Sequence, residues 1–123
     1  LIALTAGEIE RDRIGAARRC AREYQAVVVL KGFRTVIAAP DGAVAVNPTG
    51  SNSMASGGMG DVLSGIIGTF LAQGLSPFEA ACVGVYLHGL ASDRQPIARG
   101  QIASDLLDEI PRILREYSER LYQ

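Results

Sequence analysis

The feature that most restricts how this chain can fold is a glycine-rich run that leads without a break into an apolar helix. Residues 47–60 contain four glycines, three serines and one proline. A stretch of such small residues cannot build a core, and its composition is not that of a random linker. Its end, Gly57-Gly58-Met59-Gly60-Asp61, passes straight into Val62-Leu63-Ser64-Gly65-Ile66-Ile67. Glycines at a helix start let backbone amides approach an anion with no Cβ in the way. The first-turn amides and the helix dipole then favour phosphate or a developing oxyanion at that point. Asp61 sets a carboxylate beside the same point. A lone aspartate there commonly does no more than complement the dipole, but a plain helix cap needs none of the four glycines. An anion beside a phosphate site opposes binding unless it has a chemical task, such as taking a proton from an attacking hydroxyl.

The rest of the chain supplies a frame for that element. Thr5 and Glu8 form a capping-box pattern, and Ile9, Ile14, Ala17, Cys20, Ala21 and Tyr24 continue it as a helical stripe from Glu8 to Tyr24. Ala26 to Leu30 is a continuous β-branched run, which predicts a strand covered on both faces and ended by Lys31-Gly32. Thr35 to Ala39 and Ala43 to Val46 flank Pro40-Asp41-Gly42, the chemistry of a hairpin turn. A helix starting at Met59 or Asp61 should run to about Gln73, with Gly74 as its stop. Ser76-Pro77 restarts a buried helix to Leu90. After a loop over Ser92 to Gly100, two shorter helices are expected, Ile102 to Ile110 and Pro111 to Tyr122. This succession is α/β in class.

Composition removes several functions. A chain of 123 residues is enough for one domain, and a net charge of -1 without a basic run leaves no footprint for nucleic acid. Cys20 and Cys82, without metal-type spacing, read as two reduced thiols of a cytoplasmic protein. The single histidine, His88, excludes a His-rich metal site. No apolar stretch is long enough for a membrane span, and no signal peptide is visible. The start at Leu1 is what a fragment or a processed product would show.

Three blocks carry a resemblance to a known family. They are Lys31-Gly32-Phe33-Arg34-Thr35-Val36-Ile37-Ala38, then Asn47-Pro48-Thr49-Gly50, then Met54-Ala55-Ser56-Gly57-Gly58-Met59-Gly60-Asp61-Val62-Leu63-Ser64-Gly65. With Tyr86-Leu87-His88-Gly89-Leu90-Ala91 and Ala103-Ser104-Asp105-Leu106-Leu107, they resemble the ADP/ATP-dependent NAD(P)H-hydrate dehydratases. The glycine-aspartate element alone is shared across ribokinase-like kinases; the combination is more specific.

The resemblance implies a ribokinase-like three-layer fold of which residues 1–123 form the C-terminal, nucleotide-binding half as a single partial domain. It implies dehydration of hydrated NADH or NADPH (NADHX, NADPHX) with consumption of ADP or ATP, and Mg²⁺ bound with the nucleotide phosphates. By position, Lys31, Gly32, Phe33, Arg34 and Thr35 would line the adenine nucleotide together with Gly60. Gly57, Gly58 and Gly60 would supply amides to the charge of transfer. Asp61 would contact the hydrated nicotinamide and act as the base on its hydroxyl. No side chain is assigned as a metal ligand. The family's fold is roughly twice this length, so a homo-oligomer or a missing N-terminal half is expected to complete it.

The sequence departs from the family at Ser51-Asn52-Ser53, where an asparagine-proline-glycine run is usual, and at Met59, where a small residue is common. Two other readings stay open: a ribokinase-superfamily small-molecule kinase, and a non-catalytic nucleotide-binding fragment. Several polar residues have plainer readings. Lys31 could be a solvated strand-end charge, Asn47 and Thr49 turn residues, and His88 a satisfied core histidine. Asp93 and Asp105 read as loop and helix-start residues, and Arg18, Arg19, Arg22 and Glu23 as a solvated helix face.

Overall fold

The computed structural model describes residues 3–51, 57–95 and 102–121. Its elements in chain order are α1 (Ala6–Arg11), α2 (Arg13–Tyr24), β1 (Val28–Leu30), β2 (Val36–Ala38), β3 (Val44–Val46), α3 (Met59–Ala72), α4 (Pro77–Asp93) and α5 (Asp105–Leu121). The strands form one antiparallel sheet in the order β1-β2-β3, with Ile37 of the central strand opposite Val29 and Ala45. The hairpin closes as its turn residues predict. Gly42 takes a positive φ of 98°, and Asp41 Oδ1 accepts from the Ala43 amide at 2.9 Å.

Strand pleating sorts the core into two faces. Val36 and Ala38 face α2, where they pack with Ala17 and Ala21. Ile37 points the other way, against Leu63 of α3 and Ala81 and Val85 of α4. The sheet therefore lies between α2 and an α3–α4 layer, a three-layer arrangement. The β1 run meets helices on both sides as expected, Val28 and Leu30 on the α2 face and Val29 on the other, although the strand itself is only half-buried. A third cluster joins α3, α4 and α5 through Met59, Leu87, Ala91, Leu106 and Ile113. Each large apolar side chain buried in these clusters contributes about 1.5–3 kcal/mol relative to exposure.

Three expectations are corrected. The helix expected from Glu8 to Tyr24 is broken at Asp12, whose φ of -144° and ψ of 77° are not helical. Its carboxylate accepts from the Gly15 amide at 2.8 Å, so Asp12 ends α1 and caps α2. The buried helix continues past Leu90 to Asp93. The two C-terminal helices are one, α5, with Pro111 inside it. A proline inside a helix costs about 3 kcal/mol. Here Leu106, Ile110 and Ile113 keep one apolar stripe in the α3–α4–α5 cluster across that position, and this burial offsets the lost hydrogen bond. The expected loop and the glycine run both extend outside the described residues, at positions 96–101 and 52–56.

Cys20 and Cys82 are free and half-buried. Arg18, Arg19, Arg22 and Glu23 are exposed, as a solvated face should be. Among the described residues no helix is long and apolar enough to cross a membrane.

Helix α4 approaches its neighbours through glycine. A Cβ on Gly89 would lie 2.7 Å from the Thr49 carbonyl carbon and 2.9 Å from the Gly50 nitrogen, both backbone atoms. Gly89→Ala should therefore destabilise the fold by about 1–3 kcal/mol. Gly68→Ala, which meets nothing within 4 Å in the middle of α3, should be neutral or stabilising by up to about 1 kcal/mol. Denaturant unfolding of both variants checks the contrast.

Candidate functional site

The chain leaves β1 at Leu30 through a tight turn that needs unusual backbone angles. Gly32 has φ +148° and Arg34 has φ +60°, and the Thr35 hydroxyl donates to the Gly32 carbonyl at 3.1 Å. Across from this turn, α3 begins at Met59 with Gly58 as its N-cap, at φ +83° and with no side-chain cap. A capping side chain would have taken one of the first-turn amides for itself. Among the described residues no side chain caps this helix start, which carries the positive end of the dipole.

The two elements meet through one contact. Lys31 Nζ stands 2.9 Å from where a Cβ on Gly60 would be, so the ammonium rests on the glycine backbone at the start of α3. Any side chain at position 60 would push it away.

The third wall is the segment after β3. Its buried residue Asn47 donates from Nδ2 to the Thr49 carbonyl at 2.9 Å and to the Val85 carbonyl at 3.4 Å. The Thr49 hydroxyl donates to the Tyr86 carbonyl at 2.9 Å, and Asp93 Oδ2 accepts from the Gly50 amide at 2.8 Å. These bonds tie residues 47–50 to α4 from Val85 to Asp93. Asn47 and Thr49 are thus more than turn residues, and Asp93 is a helix-end anchor rather than a loop residue. Asp105 does act as a helix-start residue, accepting from the Ile102 amide at 3.0 Å.

These walls enclose a cleft of about 350 Å³. Lys31, Gly32, Phe33 and Thr35 line one side and Asn47, Thr49, Gly50 and Ser51 a second, while Met59, Leu63, Val85, His88 and Gly89 close it. Of the residues singled out from the sequence, Lys31, Gly32, Phe33 and Thr35 come together here. Gly60 joins them through Lys31. Arg34 lies outside the cleft with its guanidinium over the Phe33 ring, 5.6 Å from the centroid. Gly57 and Gly58 are exposed at the mouth of α3, and Asp61 is exposed in its first turn, outside the enclosed part of the cleft. Among the described residues no three His, Cys, Asp or Glu side chains are grouped as a metal site would require.

A family model described as NAD(P)H-hydrate dehydratase matches residues 1–114. The chain belongs to that family. It is 52% identical to the bifunctional NAD(P)H-hydrate repair enzyme of Moorella thermoacetica, covering 98% of this chain and 23% of that protein. It is 42% identical to the ADP-dependent (S)-NAD(P)H-hydrate dehydratase of Neisseria meningitidis, covering 98% of this chain and 41% of that one. Among solved structures, the Bacillus subtilis ADP/ATP-dependent NAD(P)H-hydrate dehydratase co-crystallised with ATP and Mg²⁺ superimposes with a TM-score of 0.89 at 36% identity. That match covers 94% of this chain and 43% of the B. subtilis chain. A ribokinase-like superfamily protein of Enterococcus faecalis matches with a TM-score of 0.72 at 33% identity, which agrees with the ribokinase-like fold. The chain thus spans about a quarter to two-fifths of the curated dehydratase relatives it matches.

His88, read from the sequence as a core histidine and given no place in the site, is among the cleft residues. It is buried at 5% exposure, as a core histidine would be. Its ring hydrogen-bonds to the Met59 backbone, while Nε2 has no partner among the described residues. The available signal was a lone polar residue followed by glycine in an otherwise apolar helix. Burial first, and the Lys31 charge second, hold its pKa below the ordinary 6.5, so the folded protein keeps it neutral. As pH falls through 6.5 the unfolded chain takes up a proton that the folded chain resists. Stability should therefore be intact above that pH and decline as pH falls through the folded pKa. Unfolding curves between about pH 5 and 8 should show this slope, and His88→Gln should flatten it.

Proposed function

We propose that this chain forms the nucleotide-binding portion of an ADP/ATP-dependent dehydratase acting on hydrated NADH and NADPH. The observation that carries the reading is the cleft in which the Lys31–Thr35 turn and the uncapped, glycine-bounded start of α3 face one another. Family membership and the ATP/Mg²⁺ co-crystallisation of the B. subtilis relative support it.

In this reading the Lys31 ammonium and the amides at the start of α3 hold the nucleotide phosphates, with the cleft wall beyond Lys31 taking the rest of the nucleotide. Gly57, Gly58 and Gly60 keep side chains out of the approach to those amides. Asp61, exposed at the same helix start, takes the proton from the substrate hydroxyl as its oxygen attacks the terminal phosphorus. The bond from that phosphorus to the nucleotide's bridging oxygen breaks. The carbon–oxygen bond of the phosphorylated hydrate then breaks, a proton is lost from the ring, and phosphate leaves with the nicotinamide double bond restored. Mg²⁺ would be held chiefly by the nucleotide phosphates, whose charge it neutralises.

The remaining wall of the substrate pocket would come from polypeptide beyond these residues or from another copy of the chain. The two free thiols fit a cytoplasmic setting.

Turnover of hydrated NADH with ADP or ATP and Mg²⁺, read as recovery of the NADH absorbance band, tests the proposal. Recovery is expected, with Asp61→Asn reducing the rate by about 10²–10⁴-fold. Accumulation of a phosphorylated alcohol without recovery would instead favour a ribokinase-type kinase. Nucleotide binding without either product would favour a binding fragment.

A further inference from the structure

Arg13 is the first residue of α2, and its side chain crosses to the end of β1. Its Nη2 donates to the Leu30 carbonyl at 3.1 Å and to the Lys31 carbonyl at 2.9 Å. Nη1 pairs with Glu10 at 2.9 Å, and the buried Nε has no partner among the described residues. One guanidinium thus clamps two successive carbonyls where the strand ladder has just ended at Leu30.

The turn is shaped around that clamp. A Cβ on Gly32 would stand 2.7 Å from Arg13 Nη2 and 3.1 Å from Cζ, so the guanidinium occupies the space that a side chain at position 32 would need. Lys31 is then fixed from both directions. Its carbonyl is held by Arg13, and its ammonium lies over Gly60 at the start of α3.

We propose that Arg13 is a positioning residue for the nucleotide cleft, setting the place of the Lys31 ammonium and of the wall from Gly32 to Thr35. The inference rests on the nucleotide reading of the cleft given above, and it assigns Arg13 no contact with nucleotide or substrate. The α2 helix does not need this clamp to stay on the sheet, because Ala17 and Ala21 already pack against Val36 and Ala38. The carbonyls it holds lie at a partly exposed turn, where water can replace a lost donor. Both bonds come from one Nη2 nitrogen held in a rigid planar group, whereas a lysine ammonium is a point donor on a flexible stem.

The test is ADP binding by calorimetry, with amide hydrogen exchange followed on the same proteins. Arg13→Met should fold with nearly unchanged thermal stability and weaken ADP binding by roughly ten- to a hundredfold, the loss expected when a binding group is displaced by about 1 Å. Arg13→Lys should fall between Arg13→Met and the unsubstituted chain. Glu10→Gln, which leaves the two carbonyl bonds in place, should bind nearly as the unsubstituted chain does. Added to Lys31→Ala, Arg13→Met should cost less than it does alone, because part of its effect runs through Lys31. Amide protection in residues 31–35 should drop in Arg13→Met.

Unchanged ADP affinity in Arg13→Met, or a loss fully additive with that of Lys31→Ala, would overturn the inference and leave the cleft assignment standing. Failure of the unsubstituted chain to bind ADP would overturn the cleft assignment and the nucleotide role of Arg13 together. The exchange data would then show whether Arg13 still orders the turn.

Discussion

Backbone-to-backbone packing between α4 and the segment after β3 is the contact on which the rest of the site depends. Gly89 lets the helix come so close to Thr49 and Gly50 that no side chain could stand between them. At that distance Asn47 and Thr49 reach the carbonyls of Val85 and Tyr86, and Asp93 reaches the Gly50 amide. The same helix carries Gly84 onto Ile67 of α3, where a Cβ would lie 2.6 Å from Ile67 Cγ1. One small-residue helix therefore fixes both the wall of the cleft after β3 and the axis of the helix whose start faces it. Larger residues on α4 would widen these gaps and separate the groups that meet in the cleft.

Charge follows from that packing. Lys31 stands beside the uncapped start of α3, so an ammonium and a helix dipole present positive potential to the same small volume. His88 lies close enough to be influenced by Lys31 and is buried enough to stay neutral, which keeps a second cation out of the site. Asp61 lies one residue beyond Gly60 but is exposed, where a carboxylate keeps its hydration until a substrate covers it. In the proposed function this sets a positive corner beside a carboxylate, as a reaction that begins with deprotonation of a hydroxyl at a phosphate site requires.

Much of this was legible in the sequence where short-range chemistry decides the structure. Pro40-Asp41-Gly42 carries its own turn, Thr5 and Glu8 their reciprocal cap, and Gly57 to Gly60 the opening of α3. Expectations went astray where a local signal met a tertiary one. Asp12 sits inside an apolar stripe that predicts one helix, yet its carboxylate captures the Gly15 amide and divides it. Pro111 reads as a helix start, yet the stripe through Leu106, Ile110 and Ile113 buries enough surface to carry α5 past it. The roles of Asn47, Thr49 and Asp93 arise from pairings with residues 38, 37 and 43 positions away, which no local pattern announces. His88 belongs with them, since its place in the cleft depends on which turn of α4 passes behind Met59.

The central claim is that the turn after β1 and the start of α3 receive one nucleotide between them. Backbone amide shifts in an NMR titration with ADP and Mg²⁺ test it most directly. Concerted shifts at residues 31–35, 47–51 and 57–61, with α5 unmoved, are the result this account predicts. Saturable shifts located elsewhere, with the amides of Gly58 and Gly60 unchanged, would contradict it.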